Sequence, residues 1–266
     1  MVNYTNIKRI VAFGCSFTGG CELLDHTLPE PYVSLKEKLP SYDWYNAIRK
    51  DTEAFNTLTT NRQKEKYLAW PAKLANNLQL DFLSLAINGN SNEKAIWQIE
   101  KAIYDKTINN TDLVIVGLTS AHRSMFFSND HEEPVSFLLS NQDVFQSRYK
   151  GALYDWFDDN RILWNYLKDL DQFYLLKKKL GGRLAVVHTE DPFKMQDHHY
   201  WGLDDLGFQK DFFKYKLNSV LNSGLFLDNQ LHLYQFAEVK LSHGHPNEDA
   251  HQKFADALVK CFVKNA

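Results

Sequence analysis

The sequence predicts an α/β fold in which helices cover both faces of a parallel sheet. Short apolar segments rich in β-branched residues alternate along the chain with segments of helical periodicity. Strands separated by helices pair in parallel through right-handed crossovers. The 266 residues suffice for one large domain, and 44% hydrophobic with 24% charged residues is typical of a globular chain. We therefore expect a three-layer α/β/α sandwich around a flavodoxin-like parallel sheet.

Four apolar segments are predicted to form the strands of this sheet. Their high content of valine, isoleucine and leucine is typical of strands that are buried on both faces. The predicted strands are Arg9–Gly14, Leu80–Leu85, Leu113–Leu118 and Arg183–Thr189. A fifth strand near Leu233–Val239 is expected from the fold class alone.

The helices are predicted from apolar residues that recur every three to four positions. They comprise the segment from Leu68, the segment around Ile96–Ile103 with Ser91 or Asn92 as its cap, Ile162–Lys177, Phe212–Leu221 and a last helix around Phe254–Phe262. We interpret the segments near residues 21–66, 124–160 and 192–232 as insertions into a single domain spanning residues 1–266.

Charge and hydropathy exclude several classes of partner. The formal charge is −3, which lacks the basic excess of nucleic-acid-binding proteins. The apolar runs are far shorter than the roughly 20 residues of a membrane span. The first residues do not form a secretory signal, and three cysteines are too few for a disulfide framework. We expect a cytoplasmic protein with reduced thiols and no nucleic-acid or membrane partner, whereas the sequence does not predict its oligomeric state.

Candidate functional residues follow the predicted strands, because parallel sheets gather such groups at the carboxyl ends of their strands. Ser16 follows the first strand, and its hydroxyl becomes a nucleophile if a base reaches it. Gly89 and Asn92 follow the second strand and offer a backbone N–H and a side-chain amide to an oxyanion. Arg123 follows the third strand, where it can grip a substrate carboxylate or phosphate or pair with a surface acid. With His245 before the last helix, the sequence contains the groups needed for acyl transfer.

These motifs resemble the sequence blocks of the SGNH (GDSL-type) hydrolase superfamily, in the divergent branch whose first block reads Gly-Cys-Ser-Phe-Thr. The blocks occur in family order between Arg9 and Ala255. The resemblance implies Ser16 as nucleophile, Gly89 and the Ser16 N–H as oxyanion donors, and His245 as base. It also implies an esterase or deacylase without cofactor or metal, acting on a small-acyl ester of a carbohydrate or related metabolite.

Two positions depart from the family pattern. Thr119 stands where the family has an asparagine in the oxyanion hole, so Thr119 or Asn92 is the candidate for that donor. Ser242 stands where the family has the acid three residues before the histidine. Loss of an acid that orients the histidine lowers activity by up to about 10⁴-fold where a triad depends on it. A Ser-His dyad is one solution, and the candidates for a relocated acid are Glu190, Asp191 and Glu248.

Several of these residues also have a structural interpretation. Ser16 can be a helix N-cap, Cys15 beside it can be a buried thiol, and His245 can be an exposed loop residue, in which case His251 is an alternative base. The sequence Asp197-His198-His199 invites a metal site, although we expect an exposed polar loop there.

Two other functions compete with the esterase. One is a catalytically inactive protein of the same fold that binds a carbohydrate or a protein partner. The other is a nucleotide or phosphate binder that uses the first loop, although Gly14, Gly19 and Gly20 match neither phosphate-binding glycine motif.

Overall fold

A four-stranded parallel sheet with the strand order β2-β1-β3-β6 forms the centre of the protein. The computed structural model describes residues 6–119, 123–126, 134–138, 159–189, 210–242 and 244–265. The strands are β1 (Arg9–Gly14), β2 (Asp81–Ser84), β3 (Asp112–Leu118), β4 (Arg123–Phe126), β5 (Val135–Leu138) and β6 (Leu184–His188), of which β4 and β5 form a separate antiparallel hairpin. The four strands predicted for the central sheet are confirmed to within one residue at each end.

The prediction of a fifth strand near Leu233–Val239 is wrong. Residues Leu233–Phe236 form a 3₁₀ helix. Beside β6, single parallel bridges join Val186 to Phe226 and His188 to His232. The chain beside β6 therefore pairs with the sheet through isolated bridges and does not form a continuous strand there.

Helices pack on both faces of the sheet, which confirms the three-layer architecture. They are α1 (Ser16–Gly19), α2 (Tyr32–Lys36), α3 (Ser41–Ile48), α4 (Thr52–Glu65), α5 (Trp70–Asn77), α6 (Asn92–Tyr104), α7 (Asp159–Lys179), α8 (Lys210–Leu221) and α9 (Glu248–Asn265). Neighbouring residues of a strand point to opposite faces, so Val11 packs towards α6 and α7 while Ile10 packs towards α5 and α9. Burial of each large apolar side chain contributes about 1.5–3 kcal/mol.

The segment after α1 contains a 3₁₀ turn at Asp25–Thr27 followed by α2, α3 and α4. These elements enclose a small apolar cluster of their own, made of Leu28, Trp44, Ile48, Ala54 and Leu58. Residues 21–66 show no sustained period in the sequence, and the helices α2, α3 and α4 within them were not predicted. Because α2 and α3 are short and pack on one another instead of on the sheet, no long apolar stripe marks them.

Most of the insertion predicted near residues 124–160 lies outside the described residues, as do residues 192–209 of the insertion predicted near 192–232, with the sequence Asp197-His198-His199. The helices predicted at Ile162–Lys177 and Phe212–Leu221 are confirmed as α7 and α8. Within the described ranges, no helix has both the length and the apolar character required to traverse a lipid bilayer.

Candidate active site

Ser16 lies at the carboxyl end of β1, as the first residue of α1, and only 5% of its surface is exposed. Cys15, which is fully buried, occupies the cap position of this helix, so the interpretation of Ser16 as the N-cap is wrong. The preceding turn requires glycine, since a Cβ on Gly14 would lie 2.3 Å from Thr18 Oγ1 and 2.6 Å from the carbonyl oxygen of Gly117. The close approach of β1 and β3 at Gly14 and Gly117 therefore fixes the turn that leads to Ser16.

The loop between β2 and α6 is fastened to the same end of β1. The Gly14 carbonyl accepts hydrogen bonds from Ile87 N at 3.0 Å and from Asn90 Nδ2 at 3.3 Å. Between these two attachments, Gly89 adopts a φ of 76°, a left-handed conformation that favours glycine. Ser91 caps α6 by accepting from Lys94 N, which confirms one of its two predicted caps. The fold thus holds the Gly89 loop next to the turn that carries Ser16.

Asn92 and Thr119, the two candidates for the missing oxyanion donor, bind each other. Asn92 Oδ1 accepts from Thr119 N at 3.0 Å, and Asn92 Nδ2 donates to the Thr119 carbonyl at 3.2 Å. Both residues are buried, and the Thr119 hydroxyl has no hydrogen-bond partner among the described residues. This pairing joins the loop after β3 to the start of α6 and leaves one Asn92 amide hydrogen and the Thr119 hydroxyl for any further contact.

His245 lies against the chain segment that follows Ser16. Its Nδ1 atom is 2.7 Å from Glu22 Oε2, and its ring packs against the Phe17 ring with centroids 5.0 Å apart. Tyr234 supports the same loop, since its hydroxyl donates to the Gly244 carbonyl at 2.5 Å and its ring meets Phe17 edge to face. Leu241 N also donates to the His245 carbonyl at 2.8 Å. The position of His245 is therefore fixed by its contacts with Phe17 and Glu22 and by the bonds of Tyr234 and Leu241 to its loop.

Glu22 is the buried carboxylate of this pair, with 4% of its surface exposed. Its Oε1 atom lies 2.7 Å from Lys36 Nζ, which also contacts Asp25 Oδ2 at 2.7 Å. Burial by itself raises the pKa of Glu22, but the hydrogen bond and charge of His245, together with Lys36, lower that pKa to about 2. The residue is accordingly ionised at neutral pH and can only accept the hydrogen bond from His245.

Glu22 belongs to a larger group of buried charges within residues 21–66. Arg62 contacts both carboxylate oxygens of Asp25 at 2.6 and 3.0 Å, and it donates to Glu65 at 2.7 Å. Glu65 in turn accepts from Leu24 N at 2.9 Å. We call Glu22, Asp25, Lys36, Arg62 and Glu65 the charge cluster.

The alternatives for base and acid lie in other surroundings. His251 is 1% exposed, and its Nδ1 accepts from Trp70 N at 3.1 Å at the start of α5. Burial, with the charges of His245 and Lys73, lowers the pKa of His251 to about 3, so this histidine stays neutral. Glu248 is exposed and pairs with Lys73 at 2.9 Å. The other two acids that were candidates, Glu190 and Asp191, lie outside the described residues.

Sequence reasoning missed Glu22. The residue lies inside an insertion, six positions after Ser16, and nothing in its flanking sequence distinguishes it from the other acidic residues of the chain. One structural signal is its φ of 77°, since a non-glycine residue in the left-handed region costs about 1–2 kcal/mol. Such strained positions concentrate at functional sites.

Arg123 begins β4 and reaches the Gly89 loop. Its Nη1 atom lies 3.7 Å from the position that a Cβ on Gly89 would take. Gly89 and Arg123 thus lie beside the turn that carries Ser16, and His245 contacts Phe17 and Glu22 of the segment that follows it, although no hydrogen bond joins Ser16 to His245 among the described residues. Such a set of groups can carry out nucleophilic acyl transfer.

Comparisons with known proteins give matches among solved structures only, as no family model and no curated protein matches this sequence. A member of the lipolytic protein G-D-S-L family from Veillonella parvula is 14% identical, with 97% of this chain and 99% of that chain covered and a TM-score of 0.46. A carbohydrate esterase is 15% identical, with 97% and 68% covered and a TM-score of 0.46. An acetyl xylan esterase is 12% identical, with 95% and 98% covered and a TM-score of 0.40. Matches at these identities and TM-scores assign no role to any residue of this chain.

Proposed function

We propose that this protein is a serine esterase in which Ser16 is the nucleophile, His245 the general base and Glu22 the acid that orients the histidine. The observation that carries the proposal is the 2.7 Å contact between Glu22 Oε2 and His245 Nδ1. It supplies a carboxylate for the histidine although the family's acid position holds Ser242. The contact addresses one of the two grounds for the inactive, binding-only alternative, namely the missing acid, and leaves the other, which is Thr119 in place of the asparagine.

The charge state of Glu22 determines which histidine nitrogen is basic. Because the carboxylate is ionised and accepts from Nδ1–H, the neutral ring carries its lone pair on Nε2. Nε2 is then the atom that takes the Ser16 proton. The ionised Glu22 carboxylate also stabilises the positive charge that His245 acquires.

In the proposed reaction, Ser16 and His245 act in the following order. Ser16 Oγ attacks the ester carbonyl carbon while its proton passes to His245 Nε2, and the carbonyl oxygen becomes an oxyanion. The backbone N–H groups of Ser16 and Gly89 are the proposed donors to that oxyanion. The imidazolium then protonates the departing alcohol oxygen, which breaks the ester bond and leaves an acyl group on Ser16.

Water completes the cycle by the same route. His245 Nε2 takes a proton from the water as its oxygen attacks the acyl carbon, and the proton returns to Ser16 Oγ when the acid leaves. The low exposure of Ser16 favours a small acyl group at the attacked carbonyl. We propose a small-acyl ester of a carbohydrate or related metabolite as the substrate.

Labelling with a fluorophosphonate probe tests the nucleophile without knowledge of the substrate. We expect one label per wild-type molecule, mapped to the peptide that contains Ser16, and no label on Ser16→Ala. His245→Ala should lose at least about 10³-fold in labelling rate. His251→Asn is the matched control, since it removes a nearby histidine that stays neutral and buried, and it should label like the wild type.

Label on another residue, or none on wild-type protein shown by circular dichroism to be folded, would contradict the esterase. That second result would favour the binding-only interpretation.

A further inference from the structure

We propose that Arg123 is a cationic subsite and that the ester substrate carries a carboxylate or another anionic group close to the bond that is cleaved. The inference deepens the proposed esterase and rests on it for the identity of the reacting bond. It depends on where Arg123 is held, on the absence of a partner for it among the described residues and on the geometry of its side chain.

The start of β4 is fixed to the loop that carries Gly89. Glu93 Oε2 accepts from Ser124 Oγ and from Met125 N, both at 2.7 Å. On β5, Ser136 Oγ accepts from Ser91 N at 3.0 Å. These bonds fasten both strands of the hairpin to the start of α6, so Arg123 is positioned over the Gly89 loop.

The Arg123 side chain is half-buried and has no hydrogen bond or ion pair within the described part of the chain. Its Nε atom is inaccessible to solvent and has no acceptor there. Glu93 Oε2 accepts from the neighbouring Ser124 and Met125, and no ion pair joins Glu93 to Arg123 among the described residues. A buried donor without an acceptor costs free energy, and a bound ligand that supplies an acceptor removes this cost.

Other partly buried arginines of this chain have structural partners. Arg9 binds Asp112 through Nε at 3.0 Å and through Nη2 at 2.6 Å, and Arg62 binds Asp25 through two nitrogens. These contacts show how the protein satisfies a guanidinium that serves the fold alone. Arg123 differs because it is held beside the Gly89 loop and its guanidinium has no such partner among the described residues.

The chemistry of the guanidinium defines the class of ligand. Nε and an adjacent Nη form a planar pair of donors that matches a carboxylate in two-point contact, and they also bind phosphate. Since Nη1 lies against Gly89, an anion bound by Arg123 would lie within a few atoms of the proposed oxyanion position. A dicarboxylic half-ester or an ester of an acidic alcohol fits this arrangement, whereas a long neutral acyl chain does not use it.

The test compares anionic esters with neutral esters of matched length. The probes are mono-p-nitrophenyl succinate and its methyl ester, which differ in charge on the acyl side, and 4-acetoxybenzoate and its methyl ester, which differ on the alcohol side. For Arg123→Gln we expect kcat/KM to fall about 10- to 100-fold on at least one anionic probe and to stay within about twofold on the neutral ones. Arg49→Gln, which removes the exposed arginine directly after α3, is the matched control and should change no ratio.

Equal losses on charged and neutral probes would overturn the subsite and would assign Arg123 to the oxyanion instead. Unchanged kinetics on all four probes would also overturn it. In both cases, fluorophosphonate labelling of Ser16 would still support the proposed esterase.

A binding measurement keeps the two proposals separate if no probe is turned over. Calorimetric titration of mono-p-nitrophenyl succinate into Ser16→Ala and into the Ser16→Ala, Arg123→Gln double variant needs no catalysis. At least about a tenfold loss of affinity in the double variant supports the subsite. Equal affinities, or no binding by either variant, overturn it.

Discussion

The central sheet and the segment of residues 21–66 bury different kinds of side chain. Every residue of β3 is buried, and the side chains between the sheet and its helices are almost all aliphatic or aromatic. Residues 21–66 also have an apolar cluster, but they bury Glu22, Asp25, Lys36 and Glu65 beside it. The sheet therefore provides a rigid edge for Ser16, and the insertion provides the charge that faces His245.

This division has a physical reason. A carboxylate placed alone among the aliphatic side chains of the sheet would lose its hydration and take up a proton. Lys36 and the histidine instead keep the pKa of Glu22 low despite its burial. A separate charged segment can thus hold an ionised acid near the sheet edge without disturbing the packing of the core.

The largest expected effect concerns the acid. Glu22→Gln keeps the shape of the side chain but removes the charge that fixes the His245 tautomer and stabilises the imidazolium. We expect kcat/KM on p-nitrophenyl acetate at pH 7 to fall about 10³- to 10⁴-fold. Steady-state hydrolysis of this ester measures the loss.

Glu65→Gln is the control for that variant, because it removes one carboxylate from the same charge cluster without touching His245. Its activity should stay within about threefold of the wild type, since its partner Arg62 retains Asp25. If the two variants lose activity equally, Glu22 acts only through the stability of the insertion.

The sequence predicted the sheet and the residues at its edge but not the charge cluster. The strands were recognisable because runs such as Leu113–Leu118 are apolar throughout, and Ser16 and Gly89 follow two of these strands while His245 stands before the last helix. Glu22 lies far from His245 along the chain and meets it only through packing. Ion pairs between distant residues have no period and no spacing rule, so a single sequence does not reveal them.

The next effect concerns stability and tests whether the insertion depends on its charges. Lys36→Met leaves Glu22 and Asp25 buried with one cation fewer. Breaking a buried pair by removing one partner costs about 3–5 kcal/mol, and we expect the free energy of unfolding in urea to fall by about 3 kcal/mol. Lys253→Met is the control, since Lys253 is exposed and pairs with Glu238 and Asp249 on the surface. An unchanged urea midpoint for Lys36→Met would show that the apolar cluster around Trp44 holds the segment by itself.

The last effect separates the two regions by the pH at which each loses stability. His251, between α5 and α9, has its pKa lowered from its ordinary value of 6.5 to about 3, so the unfolded chain binds a proton that the folded chain does not. Stability should therefore fall as pH drops from 6.5 towards 3, with a slope of up to about 1.4 kcal/mol per pH unit. Glu22, whose pKa is lowered from 4.5 to about 2, contributes stability that is lost only between those values.

Two variants test whether His251 and Glu22 cause the loss of stability in these two pH ranges. His251→Asn offers an amide oxygen to Trp70 N in place of Nδ1 and does not titrate, so its unfolding free energy should change less than that of the wild type between pH 6.5 and 4.5. For Glu22→Gln, the unfolding free energy should change with pH as in the wild type over that range. It should depend less on pH than the wild type only at lower pH. Urea denaturation at half-unit pH intervals measures both. If the unfolding free energy of His251→Asn falls as steeply as that of the wild type above pH 4.5, another residue takes up the proton. The region around His251 is then not the one that acid destabilises first.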